Sequence, residues 1–240
     1  MPRAAAVVLA GGSGSRIGAG LNKVYLPVAG HPVVWWSLAS AARVAHVVSA
    51  VLVVRPEDIP LAEDVLRPDA GGLDVRITVG GATRHASEDA ALALLAPDVE
   101  RGSVDVIAVH DGARPLAGPA LWRSVIEIAH AVGGAVPALP APGVLPAATL
   151  TDGIPAGEPA THRLARVQTP QAFRAKDLLV AYAAAHGNGY QGTDTASSVE
   201  EFSGLVVRTV PGSPLNLKVT YPRDLAVAER LLTARGDHLA

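Results

Sequence analysis

The sequence predicts an α/β fold in which a mostly parallel sheet is covered by helices. Short apolar runs rich in β-branched residues alternate with segments whose apolar residues recur three and four positions apart. Hydrophobic residues make up 49% of the 240 residues, which is enough to fill a sizeable core. Aromatic residues make up only 4%, so that core must be built mostly from alanine, valine and leucine.

The alternation assigns strands and helices in turn along the chain. The predicted strands are residues 4–10, 47–54, 75–79, 104–110, 134–139, 206–210 and 217–219. The predicted helices lie between and after them, at residues 33–44, 87–95, 121–131, 176–186 and 223–234. Their spacing is clearest where Leu121, Val125, Ile128 and Val132 follow one another at intervals of four and three.

A proline-rich segment interrupts the alternation between residues 137 and 159. Proline fixes φ and has no N–H to donate, so this composition disfavours a helix or a central strand. A disordered linker is the alternative, but compact sequence resumes on both sides. We therefore expect one domain over residues 1–240, with residues 138–165 as an extended arm that reaches a partner subunit.

Charge and composition exclude several classes of function. The net charge of −2 provides no basic surface for nucleic acid or an anionic membrane. The absence of cysteine excludes a disulfide framework, a thiolate metal site and a cysteine nucleophile. No stretch approaches the ~20 apolar residues that span a bilayer. The apolar run after Arg3 leads into a glycine-rich motif instead of a cleavage site, so we expect a cytoplasmic protein.

The first strand opens into a glycine-rich segment that is typical of phosphate binding. Residues 10–15 read Ala-Gly-Gly-Ser-Gly-Ser, with Arg16 next and Lys23 shortly after. Glycine lets backbone N–H groups approach phosphate oxygens, and cations behind them favour an anion. A dinucleotide-binding motif starting at Gly12 would need glycine where Ile17 stands, and a P-loop would need Ser or Thr where Val24 stands. The pattern instead resembles nucleotidyltransferases that form sugar nucleotides.

A second motif, Val-His-Asp-Gly-Ala-Arg-Pro, occupies residues 109–115 at the end of another predicted strand. Ligands of open α/β sheets bind at the carboxyl ends of the strands, beside the first loop. Asp111 there is expected to contact Mg²⁺ or a ribose hydroxyl, with capping of the next helix as the alternative. His110 is expected to be structural, and Arg114 to brace the loop.

Further motifs follow in a fixed order. They are Val-Gln-Thr-Pro-Gln-x-Phe at 167–173, Thr-Asp at 193–194 and Asn-x-Lys-Val-Thr at 216–220. With the two motifs above, they resemble the methylerythritol-phosphate cytidylyltransferase family over essentially the whole chain. Ribitol-phosphate cytidylyltransferases share most of these motifs, so the resemblance defines the family more firmly than the acceptor.

The resemblance implies a Rossmann-like fold whose projecting arm interlocks two subunits. It implies transfer of CMP from CTP to a polyol phosphate, with Mg²⁺ as cofactor and pyrophosphate as product. By position in the motifs, Arg16 and Lys23 would hold the triphosphate, and Lys218 would contact the reacting phosphates from the other side. The remaining residues implied by position are Ala10, Gly11, Gly12, Gly81, Ala82 and Ser87 for the nucleotide, Asp111 for ribose or metal, and Thr220 with Arg163 for the acceptor.

Other interpretations stay open for several of these residues. Ser87 fits equally a first-turn helix residue, Thr193 and Asp194 fit a helix N-cap, and residues 169–171 fit a buried turn. The chain also departs from the family pattern in its acceptor half: the stretch at 139–143 has no threonine, and Thr161 stands where an arginine is usual.

Three functions therefore compete: a divergent methylerythritol-phosphate enzyme, a cytidylyltransferase for another polyol phosphate or a phosphonate, and a nucleotide-binding homologue with little turnover. An NAD-dependent oxidoreductase is a fourth class. It would need an acidic residue at the end of the second strand, where Val54-Arg55-Pro56 stands.

Overall fold

Strands and helices alternate along most of the chain in the computed structural model, which describes residues 1–12, 22–66, 72–141 and 164–234. In chain order the strands are β1 (Ala4–Leu9), β2 (Pro27–Val28), β3 (His31–Pro32), β4 (Val47–Val54), β5 (Val75–Val79), β6 (Val106–Asp111), β7 (Gly133–Pro140), β8 (Ala165–Val167), β9 (Gln171–Arg174) and β10 (Val206–Pro211). The helices are α1 (Val33–Ala42), α2 (Ile59–Leu66), α3 (Arg84–Glu100), α4 (Pro119–Val132), α5 (Ala175–Gly187), α6 (Thr195–Phe202) and α7 (Pro222–Ala234).

Eight of these strands form the main sheet, in the order β10-β7-β9-β6-β1-β4-β5 with β8 paired beside β7. The pairs β6–β1, β1–β4, β4–β5 and β7–β10 are parallel, whereas β9 runs antiparallel to both of its neighbours. The predicted mostly parallel α/β fold is therefore confirmed. The four parallel strands β6, β1, β4 and β5 end at the same edge of the sheet, which is where the functional motifs follow them.

The central strand β1 shows why both faces of the sheet need helices. Ala4, Ala6 and Val8 pack into a core on one face, formed with α1, α2, α4 and α7. Ala5 and Val7 pack into a second core on the other face, formed with α3, α5 and α6. Since successive side chains of a strand point to opposite faces, a strand without polar positions is stable only between two helical layers.

Two sequence-based expectations are wrong. Residues 217–219 do not form a strand: the Val219 N–H donates to the Ala113 carbonyl at 2.8 Å, so the segment crosses the end of the sheet as an irregular loop. The expectation that proline disfavours a central strand is also wrong for β7, because Pro137 lies between β10 on one side and the strands β8 and β9 on the other. The Pro137 carbonyl still accepts the Gln168 N–H at 2.7 Å, so the strand loses only the proline's own donor.

Most of the predicted arm, residues 142–163, lies outside the described residues. Its described ends form the last part of β7 and the short strand β8, which pair antiparallel from Ala138–Val167 to Pro140–Ala165. Within the described ranges, no helix has the length and apolar character to cross a membrane.

Candidate active site

A cavity of about 590 Å³ opens at the carboxyl edge of the parallel strands. Most of the residues expected at the site from the sequence line it. They are Gly11, Gly12, Lys23, Gly81, Ala82, Ser87, Asp111, Lys218 and Thr220. Segments distant in sequence thus converge because their strands are neighbours: Gly11 follows β1, Gly81 follows β5, and Asp111 ends β6.

Asp111 is the acidic residue of this lining, and three cations surround its carboxylate. Lys218 Nζ lies 2.9 Å from Oδ2, Arg114 Nε lies 3.3 Å from the same oxygen, and Arg84 Nη1 donates to Oδ1. Burial by itself would raise the pKa of this carboxyl. The charges of Arg84, Lys218 and Arg114 outweigh burial and hold the pKa well below its usual range, so Asp111 is ionised.

Arg84 is a site residue that the motif analysis did not select, although it begins α3 three residues before Ser87. Its guanidinium lies between two carboxylates, because Nε is 2.9 Å from Glu88 Oε1 on one side and Nη1 reaches Asp111 on the other. Glu88 is 1% exposed and also accepts hydrogen bonds from the hydroxyls of Tyr182 and Thr195. Helices α5 and α6 therefore help to orient an arginine that lines the cavity.

Lys23 begins a 3-10 turn, Lys23–Tyr25, that follows the glycine-rich motif. The N-cap of this turn is Asn22, whose side chain accepts the Val24 N–H. Ala10 is not part of the cavity wall. It is 1% exposed, its N–H donates to the Val53 carbonyl at 2.7 Å, and its carbonyl accepts from Asn22 Nδ2 at 2.6 Å.

Lys218 and Thr220 reach the cavity from the loop between β10 and α7. The backbone hydrogen bond from the Val219 N–H to the Ala113 carbonyl joins this loop to the segment after β6. Asp224, in the first turn of α7, accepts the Thr220 N–H at 2.8 Å. These two anchors explain how residues without strand geometry are still held in place opposite the glycine-rich edge.

His110 is structural, as expected. It is fully buried, and burial lowers its pKa to about 3, so the ring is neutral. Its Nε2 lies 3.2 Å from the Arg114 carbonyl and its Nδ1 lies 3.0 Å from the Thr169 hydroxyl, which also accepts the Asp111 N–H. A neutral ring protonated on Nε2 satisfies every one of these contacts. The chain of bonds fixes the backbone at Asp111.

The remaining expectations have separate outcomes. The Ser87 hydroxyl lies 2.9 Å from the Thr83 carbonyl and 3.3 Å from the Gly81 carbonyl, which is the first-turn arrangement; the residue also lines the cavity. Asp194 caps α6 in a capping box with Ser197, so the N-cap interpretation is confirmed. Arg16 and Arg163 lie outside the described residues.

The whole chain is similar to one protein family. The family model for 2-C-methyl-D-erythritol 4-phosphate cytidylyltransferase matches residues 4–234. A protein of that name from Cereibacter sphaeroides (strain KD131 / KCTC 12085) is 38% identical over 228 residues, covering 95% of this chain and 96% of the relative. One from Pelotomaculum thermopropionicum is 38% identical over 241 residues, covering 100% of this chain and 98% of the relative.

Solved structures agree with this result. The crystal structure of 2-C-methyl-D-erythritol 4-phosphate cytidylyltransferase from Thermus thermophilus superposes with a TM-score of 0.69 at 30% identity, covering 97% of this chain and 100% of that one. The crystal structure of 4-diphosphocytidyl-2C-methyl-D-erythritol synthase from Anaerococcus prevotii supports the fold. It is 24% identical, with a TM-score of 0.78, and the match covers 97% of this chain and 96% of that one. The chain therefore belongs to the 2-C-methyl-D-erythritol 4-phosphate cytidylyltransferase family.

Proposed function

We propose that this protein transfers CMP from CTP to 2-C-methyl-D-erythritol 4-phosphate and releases pyrophosphate, a step of isoprenoid precursor synthesis. Membership of the family supports the reaction. For this chain, the main support is that Lys23, Lys218 and Asp111 line one cavity together with the glycines at the carboxyl edge of the sheet. An NAD-dependent oxidoreductase no longer fits, because the family match covers residues 4–234.

The reaction needs cations and alignment more than proton transfer. An oxygen of the acceptor phosphate attacks the α-phosphorus of CTP, a new P–O bond forms there, and the bond to the β-phosphate oxygen breaks. The attacking oxygen is already anionic, so no general base is required. Two polyanions must instead be held in line while charge builds up on the phosphoryl oxygens.

The cations of the cavity fit these tasks. Lys23, with Arg16 from the adjoining motif, would hold the triphosphate and stabilise charge at the α-phosphorus. Lys218 would contact the reacting phosphates from the opposite side. Thr220 lines the cavity beside Lys218 and would bind the acceptor phosphate, together with Arg163. Lys218 lies against Asp111 at 2.9 Å, so it would exchange part of this ion pair for phosphate when the substrates bind.

The nucleoside would lie at the glycine-bearing end. Gly11, Gly12, Gly81, Ala82 and Ser87 line the cavity there, and their backbone groups would recognise cytosine. Ala10 would act from behind this wall, since its N–H and carbonyl already bond to Val53 and Asn22. Asp111 would accept a ribose hydroxyl or contribute to the metal site.

The residues fit Mg²⁺ only as a partner of the triphosphate. Among the described residues there is no group of three or more histidines and carboxylates that could hold a metal ion. Asp111 would supply the one protein carboxylate, which suits Mg²⁺ because this ion is usually bound by one or two carboxylates plus substrate phosphates. When bound, the ion neutralises phosphate charge. Arg84, Lys218 and Arg114 hold the pKa of Asp111 well below its usual range, so its carboxylate would be ionised for this contact at neutral pH.

We also propose that the protein acts as a homodimer, with residues 138–165 as the arm between subunits of a single domain. The antiparallel pairing of β7 with β8 supports this proposal, because the two described ends of the arm lie side by side in the main sheet. Sedimentation of the intact chain and of a variant with residues 142–163 replaced by a short linker would test it. The arm interpretation fails if both sediment alike.

The function is tested by pyrophosphate release with Mg²⁺ and CTP. The acceptors compared are 2-C-methyl-D-erythritol 4-phosphate, ribitol 5-phosphate and none, with ATP, GTP and UTP as nucleotide controls. We expect turnover with CTP and the methylerythritol phosphate. Turnover only with another polyol phosphate or a phosphonate would change the substrate, and tight CTP binding without turnover would indicate a nucleotide-binding homologue.

A further inference from the structure

We propose that Asn22 is a positioning residue, which fixes Lys23 and the end of β1 relative to each other at the nucleotide cavity. The proposal rests on the proposed function, because it assigns Lys23 to the triphosphate. Asn22 itself does not line the cavity and is 1% exposed. Its effect on the reaction would therefore act through the position of Lys23 relative to Gly11.

The side chain of Asn22 joins three separate segments. Nδ2 donates one hydrogen bond to the Ala10 carbonyl at 2.6 Å and the other to Asp58 Oδ2 at 2.9 Å. Oδ1 accepts the Val24 N–H at 3.4 Å, across the turn that begins with Lys23. Both donors of the amide are thus used in a buried environment, where an unsatisfied polar group would be costly.

A second layer holds Asp58 in place. Arg55 donates to Asp58 with Nε at 2.7 Å and Nη2 at 2.8 Å, in the bidentate geometry of strong Arg–carboxylate pairs. Asp58 is 2% exposed, and Arg55 directly follows β4. The anchor for Asn22 is therefore attached to the end of a central strand, not to a surface loop.

Asn22 and its partner Ala10 are each next in sequence to a residue that lines the cavity, so these contacts can affect the site. One peptide bond separates Asn22 from Lys23, and its partner Ala10 is one peptide bond from Gly11; Lys23 and Gly11 both line the cavity. Asn22 thus links the two described ends of the glycine-rich motif through a direct hydrogen bond. A displacement of only about 1 Å at a group that aligns substrate can cost on the order of 10²-fold in rate.

A double-mutant cycle separates positioning from a general structural role. Asn22→Ala, Lys23→Ala and the double variant are compared by kcat/KM with CTP and by CTP affinity in calorimetry. If Asn22 acts through Lys23, Asn22→Ala costs about 10- to 100-fold alone but less than about threefold in the Lys23→Ala background. Equal losses in both backgrounds, or a folded Asn22→Ala protein within about threefold of wild type, would overturn the proposal.

Asp98→Ala is the matched control. Asp98 is a partly buried carboxylate paired with Arg76 at 2.6 Å, in the last turn of α3. It lies 14 residues beyond Arg84 along the helix, which is roughly 21 Å from the cavity. We expect Asp98→Ala to change kcat/KM by less than about threefold in either background. Circular dichroism checks folding, and Asn22→Ser, which retains a hydroxyl, replaces Asn22→Ala in the cycle if the latter does not fold.

The affinity measurement keeps this test distinct from that of the proposed function. Wild-type protein that binds CTP without turnover would contradict the proposed reaction, while the cycle on CTP affinity still decides the role of Asn22. Wild-type protein that neither binds nor uses CTP would overturn both. Normal wild-type turnover with an additive cycle would overturn the role of Asn22 alone.

Discussion

Protonation of His110 should destabilise this protein at mildly acidic pH. His110 is fully buried beneath the site, and burial lowers its pKa to about 3, whereas an exposed histidine titrates near 6.5. Its Nε2 faces the Arg114 carbonyl, which can only accept, so the neutral ring carries its proton on Nε2 and its Nδ1 accepts from the Thr169 hydroxyl. A proton on Nδ1 would remove this acceptor and place a charge in a buried environment.

The direction and size of the effect follow from proton linkage. Below about pH 6.5 the unfolded chain binds a proton at this position and the folded protein does not, so the free energy of unfolding falls as the pH is lowered toward 3. Between about pH 7.5 and pH 5 a single such group lowers the free energy of unfolding by about 2 kcal/mol, out of about 3.4 kcal/mol for a full proton over this interval, because the unfolded histidine is only partly protonated above about pH 6. Burial also raises the pKa of Glu88, and the chain has other histidines, so the effect of His110 is taken from the comparison of variants in which these groups are unchanged.

Urea unfolding at the two pH values measures this loss directly. We compare wild type with His110→Gln, which cannot titrate, and with His186→Gln as the matched control, because the His186 side chain is 82% exposed. The loss on going to pH 5 should be about 2 kcal/mol smaller in His110→Gln than in the other two proteins. An equal loss in all three proteins would refute the assignment of a neutral, buried imidazole.

Three further changes test the site and its support. Lys218→Ala should lower kcat/KM on the order of 10²- to 10³-fold. The control is Lys176→Ala, which removes an exposed lysine of α5 and should leave kcat/KM unchanged. Similar kcat/KM values for both variants would contradict a role of Lys218 in the reaction. Glu88→Ala removes one of the two carboxyl groups beside Arg84 and leaves the Tyr182 and Thr195 hydroxyls without their buried acceptor. It should lower the free energy of unfolding in urea by about 2–4 kcal/mol, against less than about 0.5 kcal/mol for Asp89→Ala, and equal values would contradict the buried network. In Gly81→Ala the new methyl group would lie 2.5 Å from the Ala86 Cβ, so this part of the cavity wall must shift and the affinity for CTP should fall. Gly118→Ala is the control, because a methyl group there meets nothing within 4 Å and should leave the affinity unchanged.

The sequence predicted the parts of the fold that depend on local pattern. The strands β4 and β5 have the predicted bounds, and Asp194 caps α6, because a capping aspartate acts on N–H groups only a few residues away. The strand predicted at 217–219 is absent, although its residues alternate in polarity. Its backbone partner is Ala113, about a hundred positions earlier in the chain, and local periodicity carries no information on such a contact.

The same division holds for the candidate site. Motif spacing selected Lys23, Asp111 and Lys218, and all three line the cavity. It did not select Arg84, whose place in the site depends on Glu88 one helical turn later and on hydroxyls from α5 and α6. Asn22 likewise has no motif of its own, because its role depends on Asp58 being brought to it by the neighbouring strand.

The cations around Asp111 explain how a carboxylate can occupy a site for two polyanions. An isolated carboxylate in this position would repel both the triphosphate and the acceptor phosphate. Here Arg84, Arg114 and Lys218 neutralise it, and Lys23 adds a further positive charge at the glycine-rich edge. Glu88 lies behind Arg84, away from the cavity. The substrates therefore meet a net positive surface, and Asp111 can orient Lys218 without excluding the phosphates that this lysine is proposed to bind.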